Sequence, residues 1–426
     1  MSDEERIQIE LDDHISPLNK GLGKFDQALQ PEAIVAMHWN LLREDLNLPT
    51  AVLYQGRLTH NLNWMREFIA AYGAKFAPHG KTTMAPRLFE MQLQAGAWGI
   101  TLATAHQALV AYAHGVRRVL MANQLVGRQN MSVIAGLLKD KEFEFYCLVD
   151  SADLVDQLGS YFSAWGQQLR VLIELGVPGG RAGVRDEEQL DAVLSALSRW
   201  NGIIALCGVE IYEGVLKDEA SIRGFLQRAV SVTQKLIGES RFMNSPVLLT
   251  GAGSAWYDVV AEEFSKAAFD QQVEIVLRPG CYLTHDVGAY REAQTRISAQ
   301  DPIAQQIGSE LLPALQVWAY VQSIPEDGRA IITMGKRDAA FDSGFPQPAL
   351  HYRPDAPAPV AAPVDWVVTR MMDQHAFLEF PNQDDLRVGD MIGFDICHPC
   401  LTFDKWRALP VLDADYNVVD VVKTYF

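Results

Sequence analysis

The sequence predicts a (β/α)8 TIM barrel followed by an antiparallel β-domain, and three observations carry that expectation. Short β-rich runs alternate with amphipathic stretches from about residue 49 to 300, and this rhythm then stops. A lysine-bearing turn and two glycine-bearing turns fall where β-rich runs end. Strand–helix alternation calls for a parallel sheet, and eight repeats favour a closed barrel over an open sheet of the same rhythm.

In chain order, residues 1–48 are polar and read as an N-terminal helical extension. The run at 51–55 (Ala51, Val52, Leu53, Tyr54, Gln55) reads as a strand, followed by helix to about Tyr72. Barrel strands are expected to begin near Lys75, Gly99, Arg117, Glu144, Leu169, Ile204, Pro246 and Val273. Most of the intervals, for example 186–199 and 220–237, carry apolar residues at helical spacing. Over 301–426, apolar runs at 315–321 and 330–334 are separated by turn residues, and 354–359 is a proline-rich loop; this half reads as an antiparallel β-domain.

Composition narrows the function classes. A chain of 426 residues exceeds the usual single core, so two domains are expected. Fifty-three acidic against 36 basic residues give a formal charge of −17, which disfavours nucleic acid and anionic membrane as partners. Five scattered cysteines do not make a disulfide framework and point to a reducing compartment. The acidic start of the chain is not a signal peptide, and no apolar run approaches a membrane span, so a cytoplasmic protein is expected.

The stretch Pro78-His79-Gly80-Lys81-Thr82 puts a lysine at the end of the first barrel strand. Barrel enzymes place their chemistry at that end of the strands, and a lysine there can bond covalently to a carbonyl cofactor; on position alone a surface loop lysine is the competing reading. Two glycine turns at later strand ends, Gly251-Ala252-Gly253-Ser254 and Arg278-Pro279-Gly280-Cys281-Tyr282, can offer backbone N–H groups to a phosphate. Arg181 lies in a turn rich in glycine, and Tyr212 and Tyr282 stand at strand ends. Near the C-terminus, Cys397-His398-Pro399-Cys400 contains both a Cys-x-x-Cys and a His-x-Cys pattern. The first reads as a redox pair or half a zinc site. The second, on a strand, would put His398 and Cys400 on one face, where nitrogen and thiolate suit zinc. A buried histidine between cysteines that only pack is the competing reading. His375 is a candidate to orient His398 or a metal-bound water.

Taken in order, these motifs resemble the fold-type III, alanine-racemase-like pyridoxal-phosphate enzymes, in the branch of D-serine dehydratases and D-threonine aldolases. The likeness runs through Pro78 to Thr82, Gly99 to Thr104, Glu174 to Val184, Tyr212-Glu213-Gly214, the two glycine turns and His398-Pro399-Cys400. It implies that strand 51–55 joins the β-domain, that Lys81 carries pyridoxal phosphate, and that Arg181 meets the cofactor's phenolic oxygen. It further implies cofactor contacts from Tyr212, Gly251, Gly253, Ser254, Gly280, Cys281 and Tyr282, a zinc site at His398 and Cys400, and a homodimer. The thiolate Cys400 implies a dehydratase that converts D-serine, or a related 3-hydroxy-D-amino acid, into a 2-keto acid and ammonia. A D-threonine-type aldolase, a racemase and a non-catalytic cofactor carrier are the alternatives. The chain departs from the family at Thr83 and Met84, where a basic residue is usual. It departs again at Asp373-Gln374-His375-Ala376, where the family tends to show Glu-Glu-His-Gly. Both departures bear on the substrate more than on the chemistry.

Overall fold

The computed structural model describes residue 11 and residues 13–426, so the extreme N-terminal part of the predicted extension lies outside the described residues. Strands are numbered in chain order. They are β1 (Thr50–Tyr54), β2 (Lys75–Phe76), β3 (Ile100–Leu102), β4 (Arg118–Gln124), β5 (Glu144–Val149), β6 (Leu169–Leu175), β7 (Ile204–Ile211), β8 (Val247–Gly251) and β9 (Val273–Leu277). The second half adds β10 (Leu315–Glu326), β11 (Arg329–Ile332), β12 (Gln347–Tyr352), β13 (Val360–Ala361), β14 (Val367–Met371), β15 (Ala376–Glu379), β16 (Met391–Asp395), β17 (Ala408–Leu412) and β18 (Val418–Lys423). The chain divides into two compact units.

The first unit contains Arg66–Lys81 and Phe89–Gly280. Among its described residues β2 to β9 form one parallel sheet of eight strands in the order β2-β9-β8-β7-β6-β5-β4-β3. The two ends meet: Trp98 N–H donates to Phe76 O at 2.6 Å and Thr101 N–H to Pro78 O at 2.9 Å, which closes the barrel. β7 is buried along its whole length and β6 nearly so, the pattern of parallel strands covered on both faces. Ala77, Leu120, Leu148, Leu172, Leu248 and Val276 are among the side chains that fill the interior. Four of the helices outside start on side-chain caps. Thr104, Ser151, Asp186 and Asp218 each accept from the backbone N–H three residues on, which satisfies donors that the first helical turn leaves orphaned. The helix Glu187–Arg199 buries Leu190, Val193, Leu194 and Leu197, a stripe at helical spacing. At the N-terminal ends of the strands, Arg118 pairs with Glu144 at 2.7 Å and Trp98 Nε1 donates to Glu274 at 2.7 Å. That end of the barrel is closed by structure-building pairs.

The second unit contains residues 13–65, Thr82–Leu88 and Cys281–Phe426. Among its described residues ten strands form one sheet, with the path β13-β12-β16-β10-β1-β17-β18 and with β11, β14 and β15 branching from β10. β1 lies inside it, antiparallel to β10 (Leu53 opposite Leu315) and parallel to β17 (Leu53 opposite Val411). Trp318 is fully buried, and its indole N–H donates to Tyr54 Oη at 3.0 Å. Between residues 13 and 48 the regular structure is one short helix, Pro31–Val35, and a 3-10 turn, Leu41–Arg43. This segment is less helical than its polar composition suggests, since Pro17, Gly21 and Gly23 interrupt it before Pro31 starts the helix. No described helix is long and apolar enough to cross a membrane.

Leu172 is fully buried in the barrel interior. Leu172→Ala is expected to destabilise the barrel by about 2–5 kcal/mol, through lost burial and the cavity left behind. Urea denaturation followed by circular dichroism reads this as a lower midpoint; an unchanged midpoint would mean that the interior repacks around the deletion.

Candidate active site

β2 leads through buried Ala77 and Pro78 into the 3-10 turn Gly80–Thr82, which presents Lys81 to solvent. Packing demands glycine at 80, because a Cβ there would lie 2.7 Å from Ile100 Cγ2 and 2.8 Å from the Phe89 ring. His79, two residues before the lysine, has a buried Nδ1 with no hydrogen-bond partner. Burial holds its imidazole well below the usual range, and the positive charges of Lys81, Arg278 and Arg181 push the same way. The ring is therefore neutral at pH 7.

Arg278, just past β9, forms a buried ion pair with Glu210 of β7 and donates to Ile211 O at 2.9 Å. Arg278 Nε and Glu210 Oε2 are left without partners. Burial pushes the Glu210 carboxyl up to about 8, against the pull of Arg278. Glu174 of β6 accepts from Gln124 Nε2 at 2.6 Å, and its carboxyl is raised by burial as well. Burial thus favours the neutral form at both of these polar strand ends.

The glycine turns are held by side chains. Glu213, fully buried, accepts from Ala252 N–H at 3.1 Å and from Gly253 N–H at 2.6 Å. Two successive amides aimed at one carboxylate make an anion-binding concavity. Ser254 Oγ accepts from Gly280 N–H at 3.1 Å, which ties the turn after β8 to the turn after β9. The Arg181 guanidinium lies 4.7 Å over the Tyr212 ring. Its loop is anchored where Gly183 N–H donates to Asp150 at 3.0 Å. Gly183 has φ +97°, and a Cβ there would lie 2.6 Å from Gly176 N, so a side chain is excluded twice over.

The remaining predicted residues belong to the second unit. Cys281 and Tyr282 are buried in the 3-10 turn Cys281–Leu283. His398-Pro399-Cys400 is not in a strand: β16 ends at Asp395, and Cys400 opens the short helix Cys400–Phe403. The strand-alternation argument for His398 and Cys400 is thereby corrected. Pro399, with φ −58° and ψ −43°, bends the chain into the helix, and the two side chains stay close enough for each to favour the other's charged form. The nearby Cys400 sulfur, and after it the hydrogen bond that His398 Nδ1 donates to Asp342 at 2.7 Å, raise the imidazole to about 9. The Cys400 thiol is pulled well below its usual range by hydrogen bonds from Cys281, His398 and Thr82. Cys400 Sγ lies 3.7 Å from Cys281 Sγ and 3.6 Å from Thr82 Oγ1. Cys397, the other half of the Cys-x-x-Cys pattern, donates to Phe345 O at 3.2 Å.

Asp342, rather than His375, therefore holds His398. Glu210, the clamping role of Glu213 and the pairing of Asp342 with His398 are what reading the sequence missed. Asp342 and His398 are 56 residues apart, and no spacing rule links them. Glu213 sits inside the singled-out Tyr212-Glu213-Gly214 motif, whose acid is the one visible signal. Among the described residues, no group of three or more His, Cys, Asp or Glu side chains is arranged to hold a metal ion, so His398 and Cys400 make a two-donor candidate.

A closed parallel barrel with a lysine after its first strand, clamped anion-binding turns after its last two, and an appended β-domain defines the fold-type III class of pyridoxal-phosphate enzymes. Residues 54–261 match the alanine racemase N-terminal domain, and residues 314–412 match the putative serine dehydratase domain. The chain thus carries both of these domains on the fold of the fold-type III enzymes, and its relatives include a D-threonine aldolase and a D-threo-3-hydroxyaspartate dehydratase. The D-threonine aldolase of Arthrobacter sp is 24% identical over 317 residues, 72% of this chain and 77% of that protein. The D-threo-3-hydroxyaspartate dehydratase of Delftia sp. (strain HT23) is 27% identical over 171 residues, 40% of this chain and 44% of that protein. The fold is shared with D-threonine aldolase from Filomicrobium marinum, with a TM-score of 0.74 at 21% identity over 91% of this chain and 97% of the other. It is also shared with the solved Delftia dehydratase, with a TM-score of 0.72 at 21% identity over 91% and 99% of the two chains.

In the metal-free protein the His398 ring is expected to titrate near 9. Asp342→Asn should lower that midpoint, and Cys400→Ser should lower it further, because the cysteine is the larger cause of the shift. An NMR titration of the histidine ring protons measures both; a midpoint that ignores both substitutions would contradict the assigned partners.

Proposed function

We propose that this chain is a pyridoxal-phosphate-dependent dehydratase of D-serine or a related 3-hydroxy-D-amino acid, releasing a 2-keto acid and ammonia. The observation that carries this reading is the contact between His398 and Cys400, with Asp342 behind the histidine. The residues fit the cofactor. Lys81 offers an exposed amine, and the Ala252–Gly253 turn shows that it can hold an anion by the way its amides bind the Glu213 carboxylate. His79 Nδ1 and Arg278 Nε are buried donors or acceptors without partners. When bound, pyridoxal phosphate supplies an electron sink for charge developing at the substrate α-carbon. Zinc, when bound, supplies a Lewis acid for a departing hydroxyl.

The chain's own groups account for the rest. Lys81 Nζ anchors the cofactor and, once released, takes the α-proton as a neutral amine. The neutral His79 ring adds no positive charge beside it. Glu213 and Ser254 accept from the Ala252, Gly253 and Gly280 amides and so keep the two glycine turns in one conformation before the cofactor binds. Arg181, stacked on Tyr212, presents a planar donor suited to a phenolate oxygen. His398 and Cys400 are the zinc donors. Asp342 holds the histidine by Nδ1, so the other ring nitrogen would be the one to bind zinc, in place of its proton. A thiolate–imidazole pair is soft, which suits zinc better than magnesium or calcium.

One finding favours a second reading, a D-threonine-type aldolase giving glycine and an aldehyde. The similarity to the Arthrobacter aldolase extends over 317 residues, further than the similarity to the dehydratase.

The purified protein with D-serine and with D-threonine, assayed together for keto acid, ammonia and glycine, separates the two. Keto acid and ammonia are expected, with a loss of ~10²–10⁴-fold in Lys81→Ala from the missing base. Removal of metal by a chelator should abolish turnover, and zinc should restore it. Glycine as the main product would move the assignment to the aldolase; keto acid that resists the chelator would remove zinc from the mechanism.

A further inference from the structure

The Cys281 and Cys400 sulfurs meet in a way that the proposed reaction does not use. Cys281 Sγ and Cys400 Sγ are 3.7 Å apart across 119 residues of chain, and neither is in a disulfide. Cys281 is buried, whereas Cys400 is partly exposed and so open to a small oxidant. The other cysteines are placed differently. Cys397 Sγ is taken up by Phe345 O at 3.2 Å and lies 3.9 Å from Gln347 Nε2. Cys147 and Cys207 are buried in barrel strands β5 and β7. A disulfide has an S–S length of ~2.05 Å, so closing this pair takes a movement of about 1.7 Å. Both residues sit in the shortest kinds of element, a three-residue 3-10 turn and the first position of a four-residue helix, where side-chain rotation and a small backbone shift suffice.

We propose that Cys281 and Cys400 form a modification site, a reversible disulfide made by a peroxide, in which Cys400 is oxidised first and Cys281 resolves. In the first step the Cys400 sulfur attacks one peroxide oxygen. The O–O bond breaks, the sulfur is oxidised to a sulfenic acid, and hydrogen peroxide leaves the equivalent of one water. In the second step the Cys281 sulfur attacks the Cys400 sulfur, an S–S bond forms, the S–O bond breaks and a second water departs. In sum, two thiols and one hydrogen peroxide give one disulfide and two waters. A dithiol reductant reverses the reaction by exchange. The buried Cys281 intercepts the sulfenic acid before it reaches the irreversible sulfinic state. Because the bond consumes the Cys400 sulfur, oxidation withdraws that atom from the metal donors; this consequence rests on the zinc reading above.

The test uses the full-length protein, reduced and freed of metal, treated with equimolar hydrogen peroxide, blocked with an alkylating agent and digested without reduction. Mass spectrometry should find the 281–400 cross-link at least ten times more abundant than any other cysteine pair, and dithiothreitol should remove it. Cys397→Ser should leave it in place, and Cys281→Ser should carry Cys400 onward to sulfinic acid. A 397–400 cross-link, or alkylation of both Cys281 and Cys400 after peroxide, would overturn the proposal. If Cys281→Ser does not fold, the wild-type peptide map decides alone. Zinc titration of the oxidised and re-reduced protein gives the separate readout: one zinc site lost and regained supports the withdrawal of Cys400. A cross-link with unchanged zinc binding would leave the disulfide standing and overturn only the metal assignment.

Discussion

Closure of the parallel sheet places the chemistry-bearing turns of the first unit. The hydrogen bonds from Trp98 to Phe76 and from Thr101 to Pro78 leave neither end strand with an open edge. They also pin the segment that carries Lys81. With β2 tied to β3 on one side and to β9 on the other, the lysine turn and the glycine turns after β8 and β9 sit at the same ends of neighbouring strands. Gly80 is the tightest point of this arrangement, because any side chain there would strike Ile100 and Phe89.

Within that frame, the cost of burying charge sets the electrostatics. Glu174, Glu210 and Glu213 all have carboxyls raised by burial, and each is compensated differently. Glu174 has an amide donor, Glu210 an arginine, and Glu213 two backbone N–H groups. A buried carboxylate without such partners would be far more costly than the hydrogen bonds that hold these three. The clamp on residues 252 and 253 uses the same physics as binding a phosphate. In the second unit the stabilisation is of the opposite kind, with the thiol of Cys400 and the imidazole of His398 each favouring the other's charged form.

Much of the fold was legible in the sequence because it is built from local periodicity. The apolar runs at Glu144, Leu169, Ile204 and Val273 begin where β5, β6, β7 and β9 begin, and the stripe over 187–199 is a helix with its apolar face buried. Lys81, Arg181 and the glycine turns stood out because each lies at a predicted strand end. His398 and Cys400 were legible as a pair, although the geometry expected of them, alternation along a strand, is replaced by a proline-led entry into a helix. What stayed hidden is non-local. Asp342 finds His398, and Cys281 finds Cys400, only through the folding of the second unit. The pairing of Glu210 with Arg278 likewise joins strands 68 residues apart. Composition also misled over 13–48, where prolines and glycines outweigh a polar, helix-like content.

The central claim is that Lys81 is the residue that bonds to pyridoxal phosphate. Incubating the intact protein with the cofactor, reducing with borohydride and mapping the peptides by mass tests it directly. The account predicts one phosphopyridoxyl group per chain, on Lys81. A label on another lysine, or none at all, would contradict it.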